Sequence, residues 1–207
     1  VSATRTARRT SSSWRSSSTP EVRLLITGTT GGIGGAVKRA ALAARHAVVE
    51  VNRGDFDAFP SMGSDPMDGI VFTTGTCPVR PLTAMTDAEL VETFRVNCGL
   101  FVKLMRHVVA GKLYNPKGMK VVAVSSVSAV EGWAGGAAYC ASKGALSAVC
   151  RALDAELKPR GISVTALEPR YVKTRMFDAC AGRMGVDPAL AQSPDALAAE
   201  ILTCLKS

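Results

Sequence analysis

Aromatic residues make up only 5% of this 207-residue chain, and no stretch alternates basic with aromatic side chains. A nucleic-acid surface is therefore not expected. Histidine is rarer still, with only His46 and His107. Neither stands at metal-binding spacing from the cysteines at 77, 98, 140, 150, 180 and 204, which include no C-x-x-C pair. No metal is expected, and thiols so scattered read as the buried, reduced cysteines of a cytoplasmic protein. No apolar run approaches the ~18 residues a membrane helix needs, so no membrane partner is expected either. Acids are absent from residues 1–20, where Arg5, Arg8, Arg9 and Arg15 supply half of the formal charge of +8. With little there to bury, 1–20 reads as a disordered Ser/Arg-rich leader. A transit peptide, an extended start and a remnant of expression all fit that composition. Residues 21–207 then form a single domain, a length that suits one core.

Inside that domain, short apolar runs alternate with helical patterns. Strands are expected at 22–26, 47–51, 69–73, 119–124 and 162–167. Helices are expected from 33 to about 45, through 86–112, over 137–158 and from about 195 to 205. Thr86 and Glu89 form a capping box that starts the second of these. The alternation calls for a parallel sheet covered on both faces. The stretch 54–68 reads as loop, and 178–193 as a loop forming a lid.

Two constellations carry chemistry. The first strand runs into Thr27-Gly28-Thr29-Thr30-Gly31-Gly32-Ile33-Gly34, and a helix follows. Glycines there permit a tight turn and bring backbone N–H groups to a pyrophosphate at a helix N-terminus. The second is Tyr139 with Lys143, four apart and so one turn apart on a helix face, with Ser126 at the end of a strand. A phenol titrates near ~10, and a neighbouring ammonium lowers that value toward a useful acid/base range. Ser126 offers a hydroxyl to the same substrate oxygen. At the end of the second strand stand Asn52 and Arg53 rather than an acid. That favours NADP over NAD, because guanidinium pairs with a 2′-phosphate.

Taken together, Thr27-Gly28-x-x-x-Gly32-x-Gly34, Ser126 and Tyr139-x-x-x-Lys143 resemble the short-chain dehydrogenase/reductase family over about residues 22–205. The resemblance implies a three-layer α/β Rossmann fold and hydride transfer between a nicotinamide dinucleotide and a carbonyl/alcohol pair. The family's usual helix and strand have no room between Arg53 and Gly69, so about five strands are expected, in the order 2-1-3-4-5. It implies Asn97 as a fourth catalytic residue, holding a water that links Lys143 to solvent. It also places Pro169-x-x-x-x-Thr174 beside the nicotinamide. The expected cofactor set is Gly28, Thr30, Gly32, Ile33, Gly34, Asn52, Arg53, Thr74, Gly75, Tyr139, Lys143, Pro169, Val172 and Thr174. A homodimer or homotetramer acting on a small molecule is expected, with Leu100, Phe101, Leu104 and Met105 serving core or interface. The alternative is a non-catalytic dinucleotide-binding regulatory or scaffold protein. Two departures from the family stand out. Thr73-Thr74 replaces its Asn-Ala pair, and Arg170 replaces a glycine, where it would reshape the pocket or meet an anionic substrate.

Overall fold

Runs such as Leu24-Leu25-Ile26 and Ile70-Val71-Phe72 are apolar at every position, which suits strands covered on both faces. A computed structural model of the chain describes residues 22–56 and 65–206. The leader expected at 1–20 lies outside the described residues.

Five strands form one parallel sheet: β1 (Arg23–Thr27), β2 (Ala47–Val51), β3 (Gly69–Phe72), β4 (Met119–Val124) and β5 (Ile162–Leu167). Their order is β2-β1-β3-β4-β5, the order expected. Alternate side chains enter opposite layers. Leu25, Ile70, Phe72, Val121 and Ala123 pack with Leu100, Phe101, Leu104 and Leu146 on one face. Leu24, Ile26, Val71, Val122 and Val124 pack with Val37, Leu197 and Ile201 on the other. The first layer is built from α2 (Asp87–Phe94), α3 (Leu100–Ala110) and α4 (Ala137–Leu157). The second is built from α1 (Gly32–Ala43) and α6 (Pro194–Cys204). This is the three-layer Rossmann architecture. Leu100, Phe101, Leu104 and Met105 are all buried, so their place is the core.

Two expectations need correcting. The helix expected through 86–112 is interrupted: a π-turn at Arg95–Gly99 separates α2 from α3. The capping box at its start does form, with Thr86 accepting from the Glu89 N–H and donating its own N–H to the Glu89 carboxylate. Second, the lid is not all loop. A helix, α5, spans Arg175–Met184, and a short 3₁₀ turn follows at Pro188–Leu190. Thr174 caps α5 by accepting from the Phe177 N–H at 3.2 Å, and Gly185, at φ +66°, ends it. Phe177, Cys180 and Ala181 give it one buried stripe at i, i+3, i+4. The stretch expected as loop at 54–68 begins with a 3₁₀ turn, Arg53–Phe56; residues 57–64 lie outside the described residues. No helix of the described residues is long and apolar enough to cross a membrane.

Candidate active site

All the strands run parallel, so their C-terminal ends converge on one rim, where such sheets present ligand crevices. A cavity of about 400 Å³ opens there. One end is the glycine loop after β1. Gly28 takes φ +67° and donates its N–H to the Val51 carbonyl at 3.0 Å. A Cβ on Gly34 would lie 2.2 Å from the Gly28 carbonyl oxygen, and one on Gly32 2.6 Å from Thr174 Cγ2. Helix α1 starts with no side-chain cap, so its first N–H groups remain available at the cavity wall. A bare-backbone cradle at an uncapped helix N-terminus fits the pyrophosphate of a dinucleotide.

The threonines after β3 are spent on this loop. Thr27 Oγ1 accepts from the Thr73 N–H at 3.0 Å and the Thr74 N–H at 3.2 Å. Thr73 Oγ1 donates to the Thr27 carbonyl at 2.6 Å. Threonine hydroxyls thus join the ends of β1 and β3 at the position where the family uses amides.

Every residue of the expected cofactor set lines the cavity: Gly28, Thr30, Gly32, Ile33, Gly34, Asn52, Arg53, Thr74, Gly75, Tyr139, Lys143, Pro169, Val172 and Thr174. Arg53 reaches toward the Gly75 carbonyl at 3.5 Å, the loose limit of a hydrogen bond. Asp55 is committed nearby, accepting from the Asn52 N–H at 2.6 Å. An acid that the spacing argument passed over, Glu50 on β2, accepts from the Thr29 hydroxyl and pairs with Lys38, both at 2.5 Å. Those two partners, Lys38 first, hold its carboxyl below the usual range. Its position one residue before the strand end hid it.

Further along the cavity lie Ser126, Tyr139 and Lys143. Ser126 caps a short turn after β4, accepting from the Ser128 N–H at 3.1 Å, while Ser125 donates to the Lys143 carbonyl at 3.0 Å. Tyr139 and Lys143 share a face of α4, with Nζ 5.7 Å from the phenol ring centroid. Lys143 Nζ donates to the Val124 carbonyl at 2.8 Å. The expected lowering of the phenol pKa is not found. Burial first, then the Cys77 sulfur, push Tyr139 above its ordinary value, and a hydrogen bond with Ser126 opposes them. Burial also brings Lys143 down to about 8. The interior outweighs the ion here because the ammonium is itself desolvated and turned toward its strand carbonyl.

Asn97 sits in the π-turn, fully buried, and does not line the cavity. Its amide donates to the Thr76 carbonyl and Ser142 Oγ, both at 2.9 Å, and accepts from the Thr76 N–H at 2.7 Å. Both amide hydrogens are therefore engaged, and the side chain braces the β3 loop against α4 one residue from Lys143.

The remaining wall was not legible from motifs. Trp133, at 6.3 Å from the Tyr139 ring, joins Phe177, Met184, Cys77 and Cys180 there. Arg170 lines the rim but pairs with Glu131 at 2.9 Å. The described residues include no group of three or more His, Cys, Asp or Glu placed to hold a metal.

Comparison with known proteins agrees with this geometry. The short chain dehydrogenase family model matches residues 61–183. L-xylulose reductase of Bos taurus is 28% identical over 181 residues, covering 76% of this chain and 74% of its own length. A Beutenbergia cavernae dehydrogenase structure with bound NADP superposes with a TM-score of 0.78 at 20% identity, covering 89% of each chain. A 4-hydroxyisoleucine dehydrogenase mutant complexed with NADH and succinate gives 0.76 at 18%, covering 89% of this chain and 90% of its own. The chain belongs to the short-chain dehydrogenase family. It is an NAD(P)-dependent oxidoreductase of the CH–OH/C=O class.

Proposed function

We propose that this chain interconverts a small carbonyl compound and its alcohol with NADP(H) in preference to NAD(H), through Ser126, Tyr139 and Lys143. The observation that carries this reading is the single cavity into which the glycine cradle, the Ser126 hydroxyl and the Tyr139–Lys143 pair all open. The nicotinamide, when bound, supplies or accepts the hydride. The chain's own groups manage the proton. Ser126 polarises the substrate oxygen as an oxyanion-type donor. A phenol held above its usual pKa keeps its proton at neutral pH, so Tyr139 stands ready to donate it to a developing alkoxide in the reductive direction. Lys143, charged at pH 7 with a pKa of about 8, steadies the phenolate that results and offers N–H groups to the nicotinamide ribose. Asn97 acts at one remove, by holding the β3 loop to α4.

NADP preference rests on Arg53, whose guanidinium is exposed at the cavity rim, and on the absence of an acid at Asn52. The same reading takes 21–207 as one catalytic domain. Self-association would use the apolar surface that Val91 on α2 and Val102 on α3 leave exposed.

The test is a panel of ketones, aldehydes and quinones with NADPH, followed at the nicotinamide absorbance band. Turnover on one or more substrates is expected, and Tyr139→Phe should lower it by about a thousandfold or more with NADPH binding retained. Binding with no turnover across the panel would instead support a regulatory role.

A further inference from the structure

Two of the cysteines line the cavity, and they come from opposite sides of it. Cys77 lies on the loop after β3, directly after the Thr76 that Asn97 braces. Cys180 lies on α5, in the lid. Their Sγ atoms are 3.6 Å apart, and Cys180 Sγ also faces the Cys77 carbonyl at 3.8 Å. The lid is tied at its base, where Val172 bridges to Gln192. Its N-terminal end rests Thr174 on Gly32 of the glycine loop. Its far end grips the β3 loop through the cysteine pair and through Arg183 Nη1, which donates to the Val79 carbonyl at 2.8 Å. Helix α5 thus straddles the crevice, and the sulfurs meet where it touches the opposite wall.

We propose that Cys77 and Cys180 are a redox-sensitive clasp, a dithiol whose oxidation by a peroxide joins the lid to the β3 loop and holds the crevice shut. One thiol is oxidised by hydrogen peroxide to a sulfenic acid, releasing water. The second sulfur attacks the sulfenic sulfur, forming the S–S bond and releasing a second water. Two thiols and one peroxide give one disulfide and two waters, the two electrons passing from the sulfurs to the peroxide. Cys77 is the more exposed of the two thiols and Cys180 is buried against it. A disulfide spans about 2 Å between sulfurs, so closing the bond draws together two Sγ atoms that are already in contact at 3.6 Å. Cys150 is buried in the core away from the cavity, and Cys140 does not line it. Cys77 and Cys180 are thus the two thiols that share the cavity wall. Shutting the crevice rests on its reading as the nucleotide site; the bond itself does not.

The experiment oxidises the full, reduced chain with equimolar hydrogen peroxide and digests it without reductant. Mass spectrometry should find a Cys77–Cys180 cross-linked peptide that dithiothreitol removes. Two measurements then read the lid. Trypsin nicking after Arg175 and Arg183 should slow by about tenfold on oxidation, and release of preloaded NADPH should slow similarly. Neither should respond to oxidant in Cys180→Ser, whereas Cys204→Ser should behave as the parent chain does. Sulfinic acid at Cys180 with no cross-link, or a link from Cys77 to Cys140, overturns the clasp. A cross-link that leaves nicking and release unchanged overturns its closing role. A chain that binds no NADPH refutes the nucleotide reading alone, because the peptide map and the nicking rates still decide the clasp.

Discussion

The two ends of the crevice are built from different materials. At the glycine end the wall is backbone: Gly28, Gly32 and Gly34 approach so closely that added carbon atoms would overlap their neighbours. The hydroxyls of Thr27, Thr73 and Thr74 lock that wall from behind. At the other end the wall is side chain, with Trp133, Phe177, Met184 and two cysteines, several of them on a helix tied at its base and tip. An end that grips a phosphate handle common to all its cofactors needs rigid N–H groups at fixed distances. An end that must fit one particular carbonyl compound needs shape, which side chains supply.

Substitutions at each end sharpen that contrast. Gly34→Ala should cost the most, because its Cβ would sit 2.2 Å from the Gly28 oxygen. Affinity for NADPH should fall by about a hundredfold or more in a fluorescence titration, near 3 kcal/mol. Phe177→Ala, at the lid end, should leave that affinity within about threefold and raise the KM for substrate instead.

Lys143 stands between the ends, and its effect is read through pH. Its pKa is about 8 when folded, against ~10.4 unfolded. Between those values the unfolded chain holds the proton and the folded chain does not, so stability gains from this group as pH rises through the window. Lys143→Met should therefore be more stable than the parent at pH 7, by up to about 3 kcal/mol, with the gap closing toward pH ~10. Denaturation at several pH values checks this. The buried thiols Cys77 and Cys150 act in the opposite sense once unfolded thiols ionise, above pH ~8.5, so the comparison reads Lys143 most directly between pH 7 and that value.

A smaller loss is expected from Asn97→Ala, which strands the Thr76 N–H and carbonyl. Thermal melts should show about 1–3 kcal/mol of destabilisation, with the largest fall in turnover rather than in nucleotide binding. Smallest is Arg53→Ala, which should weaken NADPH binding about tenfold and leave NADH unchanged. Equal losses for both nucleotides would remove the case for NADP preference.

The glycine end was almost wholly legible in the sequence, because glycine spacing between a strand and a helix states a backbone shape directly. The parallel sheet was legible from apolar runs alternating with helices, and its strand order from the family resemblance that the glycine loop and Tyr139-x-x-x-Lys143 carry. Ser126, Tyr139 and Lys143 were visible because two of them are bound by helical periodicity. The helix in the lid is masked in the sequence by two glycines, Gly182 and Gly185. One is exposed within α5 and the other ends it, while Thr174 and the stripe at Phe177, Cys180 and Ala181 define the helix. Trp133, Cys77 and Cys180 were hidden because nothing local links them; only the fold brings them to one wall. The direction of the Tyr139 shift was missed because spacing reports a nearby charge and says nothing of desolvation.

The π-turn at Arg95–Gly99 has a consequence for chain length. A wide turn holds one residue more than the regular helix around it. Each residue of an α-helix advances the winding by about 100°. Rewinding the same residues as regular helix would turn α3 by about that angle. Leu100, Phe101, Leu104 and Met105 would swing off the sheet, or Asn97 would be dragged from Thr76 to keep them in place. The wide turn thus takes up one residue, so that α2 and α3 keep their apolar faces on the sheet while Asn97 reaches Thr76.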